Sequence, residues 1–158
     1  MAVKDWERKV WKWMFVEREK WLDDNPGARH LEHESTATIV QNALKFFAGV
    51  RYELISFVIM PSHFHWVFRP LAKYEASLPA DQSPRATIVH SIKSFTANEC
   101  NKLLGCTDRF WQDESYDVTD EAELGRIVEY IELNPCKAGL CRHPQHWRYS
   151  SAYQRVAT

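Results

Sequence analysis

No run of about 18 apolar residues occurs in this 158-residue chain, so the sequence predicts no membrane-spanning helix. The first residues, Met1-Ala2-Val3-Lys4-Asp5-Trp6, carry charge but no apolar core segment, which argues against a secretory signal. Cysteine is sparse. Four of them, at 100, 106, 136 and 141, in an ordinary globular composition fit reduced cytoplasmic thiols better than a disulfide framework. Excess charge is absent too: the formal net charge is −1, so any attraction for nucleic acid has to come from a local patch of Lys and Arg. Neither an internal repeat nor a low-complexity tract is found. What the chain does have is aromatic content, 13% with seven Trp, which excludes disorder and supplies one real core.

The stretch that organises the rest is Phe57-Val58-Ile59-Met60-Pro61-Ser62-His63-Phe64-His65-Trp66-Val67-Phe68. Two short apolar runs meet at Pro61-Ser62, so a strand over 51–60, a tight turn and a strand over 63–69 form a predicted hairpin. Side chains alternate along a strand. His63 and His65 therefore point to one face and Phe64 to the other, toward the core. Two imidazoles so placed are able to share a metal ion. They also fit two histidines on the wet face of a half-buried sheet, and spacing alone leaves both readings open.

The flanking segments read as helices. Trp6, Val10, Trp13, Met14 and Trp21 lie at helical spacing over 4–24, although 10–16 is also strand-prone, and Asn25-Pro26-Gly27 stops the element. Ser35 or Thr36 caps a second helix, with Ile39, Val40, Ala43, Leu44 and Phe47 as its apolar face and Gly49 beyond its end. Residues 70–83 read as a loop. Pro84 opens a helix that runs to about Leu104, with Gly105 as its stop. Its apolar positions are Ile88, Val89, Ile92, Phe95 and Leu103, with His90, Lys93, Ser94 and Lys102 on its polar side. Phe110-Trp111-Gln112 and 115–118 read as a third, polar strand or an extended segment. Thr119 or Asp120 caps a last helix whose stripe is Leu124, Ile127, Val128 and Ile131, closed by Asn134-Pro135. At about 100° per residue, Tyr130 and Asn134 stack one turn apart on the shoulder of that helix. An amphipathic packing role with the hydroxyl in water is the ordinary role for such a Tyr. Cys136, Cys141, His143 and His146 invite a zinc reading, but their spacing fits no standard zinc module.

Met60-Pro61-Ser62-His63-Phe64-His65 resembles the signature of the HUH single-tyrosine transposases, and the chain as a whole resembles the REP-associated tyrosine transposases. The supporting stretches are Ser91-Ile92-Lys93-Ser94-Phe95-Thr96-Ala97, Phe110-Trp111-Gln112 and Tyr130-Ile131-Glu132-Leu133-Asn134-Pro135-Cys136-Lys137-Ala138-Gly139-Leu140, followed by Trp147 and Ser150-Ser151. They come in the family's order, over about residues 20–152. The resemblance implies an α+β fold with a ferredoxin-like antiparallel sheet packed with helices. It implies a single domain over 1–158, with a divergent helical N-terminus at 1–34 and a core at 35–152.

It also implies a function: a divalent-metal-dependent single-stranded DNA endonuclease and strand transferase acting at hairpin DNA. In it His63 and His65 bind Mg²⁺ or Mn²⁺, Asn134 is a third, amide-type ligand, and Tyr130 is the nucleophile. The alternative is a non-catalytic, domesticated or truncated module that only binds hairpin DNA. Lys93, Arg109, Trp111 and Lys137 are the candidate DNA contacts, and Tyr116 is a second candidate nucleophile on an extended segment. The chain departs from the family at three points. Ser62 stands where the family usually has Asn. The net charge is not basic. The chain opens at a helix where family members have a strand, which predicts a sheet lacking its first strand. Such a sheet leaves the histidine strand with an open edge, unless 10–16 supplies the strand after all or a second copy supplies it across a dimer.

Overall fold

The computed structural model describes residues 29–107, 109–111 and 124–157. The predicted N-terminal helix over 4–24, and with it the expected lack of a first strand, Gln112, and the segment at 115–118 with Tyr116 fall outside the described residues. The expected order holds elsewhere: a 3-10 turn at His30–Glu32, then α1 (Glu34–Phe46), β1 (Tyr52–Ile59), β2 (Phe64–Pro70), α2 (Ala72–Ser77), α3 (Pro84–Leu104), α4 (Leu124–Lys137), a second 3-10 turn at Pro144–His146, and α5 (Ser151–Ala157). The class is α+β, and β1 and β2 pair antiparallel, as the hairpin reading requires.

The register fixes what faces what. Val58 pairs with His65 and Ile59 with Phe64, and the Met60 N–H donates to the His63 carbonyl at 2.8 Å across the turn. Paired residues share a face. One face carries Phe57 and Ile59, with Phe64 and Trp66 beside them, and packs into a core with Val40 and Leu44 of α1 and Ile92 and Cys100 of α3. The other carries Val58, Met60 and Val67, and packs on Ile127 and Ile131 of α4. The hairpin is thus sandwiched between two helical layers. An irregularity in the register between Leu54 and Ser56 admits Ile55 as the extra residue of a bulge.

The outer edge of β1 near the turn is covered by the C-terminal segment. Ile59 N–H donates to the Tyr149 carbonyl at 2.9 Å, Trp147 Nε1 donates to the Ile59 carbonyl at 2.9 Å, and Val58 bridges antiparallel to Ser150. The sequence leaves this tail undetermined, because its pairing is non-local. Leu31 N–H donates to the Pro61 carbonyl at 2.9 Å and ties the 3-10 turn to the hairpin turn.

Four local expectations are corrected. The N-cap of α1 is His33, without a side-chain cap bond; Thr36 Oγ1 instead donates back to the His30 and His33 carbonyls. Residues 72–77 form a helix rather than a loop, started from Leu71, whose carbonyl accepts from Glu75 N–H. Along α3 the buried stripe is Ile88, Ile92, Thr96 and Cys100, whereas Phe95 and Leu103 are exposed. Thr96 fits the stripe because its hydroxyl bonds the Ile92 carbonyl at 2.7 Å, which hides its polarity from the core. Finally, Asn134-Pro135 does not close α4, which continues to Lys137. Pro135 gives up one backbone bond, but the Asn134 carbonyl still accepts from Ala138 N–H at 3.0 Å. Pro84 opens α3 as expected, with Ser83 Oγ accepting from Ala86 N–H.

Candidate metal and tyrosine site

His65 lies in β2 and His63 one residue before it. Both rings lie on the face of the hairpin that packs against α4, by alternation with Val67 and by pairing with Met60 and Val58. Their centroids are 4.8 Å apart at an interplanar angle of 69°, and the Nε2 atoms of both are shielded from solvent. Ser62 Oγ lies 3.1 Å from His63 Nδ1. When Nδ1–H donates to that hydroxyl, the tautomer is set and Nε2 presents its lone pair, as a second-shell partner does for a metal-bound histidine. The Ser that replaces the usual Asn in the turn therefore touches the ring it precedes.

This donor set fits a divalent ion. Two imidazoles on one strand face supply two nitrogen ligands. Among the described residues, no three His, Cys, Asp or Glu side chains gather as a metal site. A third ligand from the described residues would thus be of another type. Asn134 has the required amide and is only 3% exposed, more deeply set than a helix shoulder implies. Together with Ile127 and Ile131 it forms an i, i+4, i+7 row on the side of α4 that meets the hairpin.

Tyr130 is half-buried on α4, one residue from that row, as the shoulder geometry predicts. Lys137 Nζ lies over its ring, 4.0 Å from the centroid. That contact puts one cation directly beside the phenol.

The other candidate DNA contacts are more distant in role. Arg109 is exposed and its Nε donates to the Trp111 carbonyl at 3.1 Å. Lys93 is half-buried on α3, and its carbonyl accepts from Trp111 Nε1 at 3.1 Å. The same indole nitrogen donates to Thr96 Oγ1 at 2.9 Å, and the Trp111 ring packs edge-on to Phe64 and Phe110. Trp111 thus serves as a packing residue that fixes the hairpin to α3. The indole is held by its N–H and by both neighbouring rings, and Trp111 as a whole is half-buried.

Glu132, which sequence reasoning did not single out, lies two residues from Tyr130 and two from Asn134. It is 7% exposed, with Arg155 donating to its two oxygens at 2.7 and 2.5 Å, Ser151 Oγ at 2.7 Å and Ser56 Oγ at 3.3 Å. Burial by itself would raise its carboxyl. The hydrogen bonds from Arg155 and Ser151, the Arg155 charge and the Ser56 bond outweigh that effect and hold it below its ordinary 4.5. Glu132 therefore anchors the tyrosine helix to β1 and α5 on the side away from solvent. Its signal in the sequence was a carboxylate within a buried stripe, with an Arg 23 positions later that only the fold brings close.

The remaining metal reading fails on geometry. Cys136 and Cys141 are adjacent, but they gather with neither His143 nor His146 into a cluster of three ligands among the described residues.

Comparison with known proteins agrees with the motif reading. No family model matches the chain. A REP-associated tyrosine transposase of Escherichia coli (strain K12) is 23% identical over 106 residues, which cover 67% of this chain and 58% of that protein. The chain thus aligns with less than two thirds of its relative's length. A solved structure of a REP-associated tyrosine transposase bound to a REP hairpin matches with a TM-score of 0.53 at 20% identity, over 82% of this chain and 72% of the other. No described helix is long and apolar enough to cross a membrane. In sequence and in fold, this chain is similar to the REP-associated tyrosine transposases.

Proposed function

We propose that this protein is a divalent-metal-dependent, single-stranded DNA endonuclease and strand transferase that acts next to hairpin DNA. The observation that carries the reading is the shared face: His63, His65 and the helix bearing Tyr130 meet on one side of the hairpin. The similar solved protein is bound to a REP hairpin, which supports DNA of that shape as the partner.

His63 and His65 would hold the ion, with Asn134 completing the set. Mn²⁺ suits two nitrogen ligands better than Mg²⁺, which prefers oxygen throughout. When bound, the ion supplies polarisation of the phosphate oxygens and neutralises developing charge. The chain's own residues do the rest. Tyr130 attacks phosphorus, its phenolic proton leaves, the bond to the 3′ oxygen breaks, and a 5′-phosphotyrosine and a free 3′-hydroxyl result. The covalent link conserves the phosphodiester energy, so a second strand end reverses the step without ATP. Lys137, at the tyrosine ring, meets the substrate phosphate with positive charge.

A labelled single-stranded hairpin with Mn²⁺ is expected to give a covalent protein–DNA adduct, lost in EDTA and in Tyr130→Phe. An adduct that persists in Tyr130→Phe removes Tyr130 as the nucleophile. Equal hairpin binding with and without EDTA, with the DNA left intact, would establish the non-catalytic binding module instead.

A further inference from the structure

Cys136 and Cys141 flank the cap that ends α4. The cap is set by backbone. Gly139 lies at φ 75°, in the left-handed region that glycine enters without strain. Leu140 N–H donates to the Pro135 carbonyl at 2.9 Å and Gly139 N–H to the Cys136 carbonyl at 3.0 Å. This 6→1 and 5→2 pair of bonds turns the chain back over the last helical turn. The residue that follows the turn is Cys141, and its sulfur arrives 3.5 Å from that of Cys136. A hydrophobic contact commonly closes such a cap; here two thiols meet. Both are free and half-buried, within reach of a small oxidant. Cys100, by contrast, is fully buried within the core on α3. The absence of a three-ligand cluster among the described residues leaves the pair as a dithiol rather than a metal centre.

We propose that Cys136 and Cys141 form a reversible disulfide that staples the cap of the tyrosine-bearing helix, with a low-molecular-weight disulfide such as oxidised glutathione as the oxidant. One cysteine thiolate attacks the glutathione disulfide and expels the first glutathione thiolate. The second cysteine then attacks the mixed disulfide and expels the other. One S–S bond breaks and one forms, two cysteines are oxidised, and the two thiol protons end on two glutathione thiols. The sulfurs close from 3.5 Å to about 2 Å, a small movement for a cap already folded on itself.

Lys137 lies inside the loop the bond closes, with its ammonium over the Tyr130 ring. The staple fixes that lysine on the ring face and keeps its ammonium from following the phosphate as it passes from substrate to phosphotyrosine, so oxidation slows the reaction. This consequence rests on the proposed function above; the disulfide itself does not.

The full chain is equilibrated with oxidised or reduced glutathione. In the oxidised sample two fewer thiols react with Ellman's reagent, peptide mapping finds a Cys136–Cys141 link, and amides of residues 138–141 exchange more slowly. C141S instead retains a glutathione adduct on Cys136. An unchanged thiol count, or a link through Cys106, overturns the disulfide. With hairpin DNA and Mn²⁺, adduct formation is expected to fall several-fold on oxidation and recover on reduction, while C141S shows no such loss. Equal rates in both states overturn the regulatory step. Lack of adduct in either state, with the link present, refutes the transposase reading and leaves the disulfide standing.

Discussion

Replacing Glu132 by Ala tests whether the buried carboxylate anchors the tyrosine helix. The side chain joins α4 to β1 through Ser56 and to α5 through Ser151 and Arg155. After its removal Ser56 and Ser151 still bond each other at 3.0 Å, and Ser151 still donates to the Phe57 carbonyl at 3.2 Å, so neither hydroxyl is orphaned. The loss is then the charge-assisted bonds themselves. Hydrogen bonds to a charged group contribute about 1.5–3 kcal/mol each. The Ser151 bond at 2.7 Å counts in full and the Ser56 bond at 3.3 Å only marginally. The Arg155 side chain is 57% exposed, so screening limits its ion pair to about 1 kcal/mol or less. Relief from burying a carboxylate offsets part of the sum. The net cost is roughly 2–3 kcal/mol, a fall in Tm of about 5–10 °C for a chain of this size.

Arg155→Ala is expected to cost less, about 1 kcal/mol, because the screened ion pair is lost while the Ser151 and Ser56 bonds to the carboxylate remain. The double variant should be no worse than Glu132→Ala. Urea and thermal unfolding followed by circular dichroism measure all three. A Glu132→Ala cost below about 0.5 kcal/mol, or strict additivity with Arg155→Ala, would refute the anchoring role. The pH dependence gives a second check. Because the folded carboxyl is held below its ordinary 4.5, its contribution is complete above pH 4.5 and is lost as pH falls through the folded value. Glu132→Gln should therefore lose that part of the wild type's acid sensitivity.

Ser62→Ala removes the partner of His63 Nδ1, and is expected to weaken Mn²⁺ binding about 10-fold or more by titration calorimetry while leaving the fold intact. Trp111→Phe deletes the indole bonds to Thr96 and the Lys93 carbonyl and should cost about 1–2 kcal/mol in urea unfolding. If Trp111 only packs, hairpin affinity at a temperature well below the variant's Tm stays unchanged; a large loss there supports a base-stacking role. The buried Tyr52 hydroxyl donates to the Leu44 carbonyl at 2.6 Å, and burial pushes its phenol up to about 12. Its stabilisation is complete below the ordinary value of 10 and is lost as pH rises toward 12, so Tyr52→Phe should show a shallower decline in stability across that window.

Sequence by itself determined what depends on short range. The β-branched and aromatic runs around Pro61-Ser62 determined the hairpin. Alternation determined that His63 and His65 share a face, and helical periodicity put Ile127, Ile131 and the half-buried Tyr130 in their places. Pro84 and Gly105 marked the ends of α3 through their own backbone limits. Where polar residues carry a buried role, periodicity of apolar residues misleads. Thr96 and Cys100 continue the α3 stripe in place of Phe95 and Leu103, since a hydroxyl that bonds its own helix packs as an apolar group does. Only the tertiary structure decided that the histidine face is the one α4 covers, because a strand's period says which residues share a side but not what packs against it. It alone bonded the Trp111 indole to α3, laid Trp147 to Ser150 along β1, and brought Arg155 to Glu132 and Cys141 to Cys136. Those contacts depend on pairings made after the elements exist, and no local spacing encodes them.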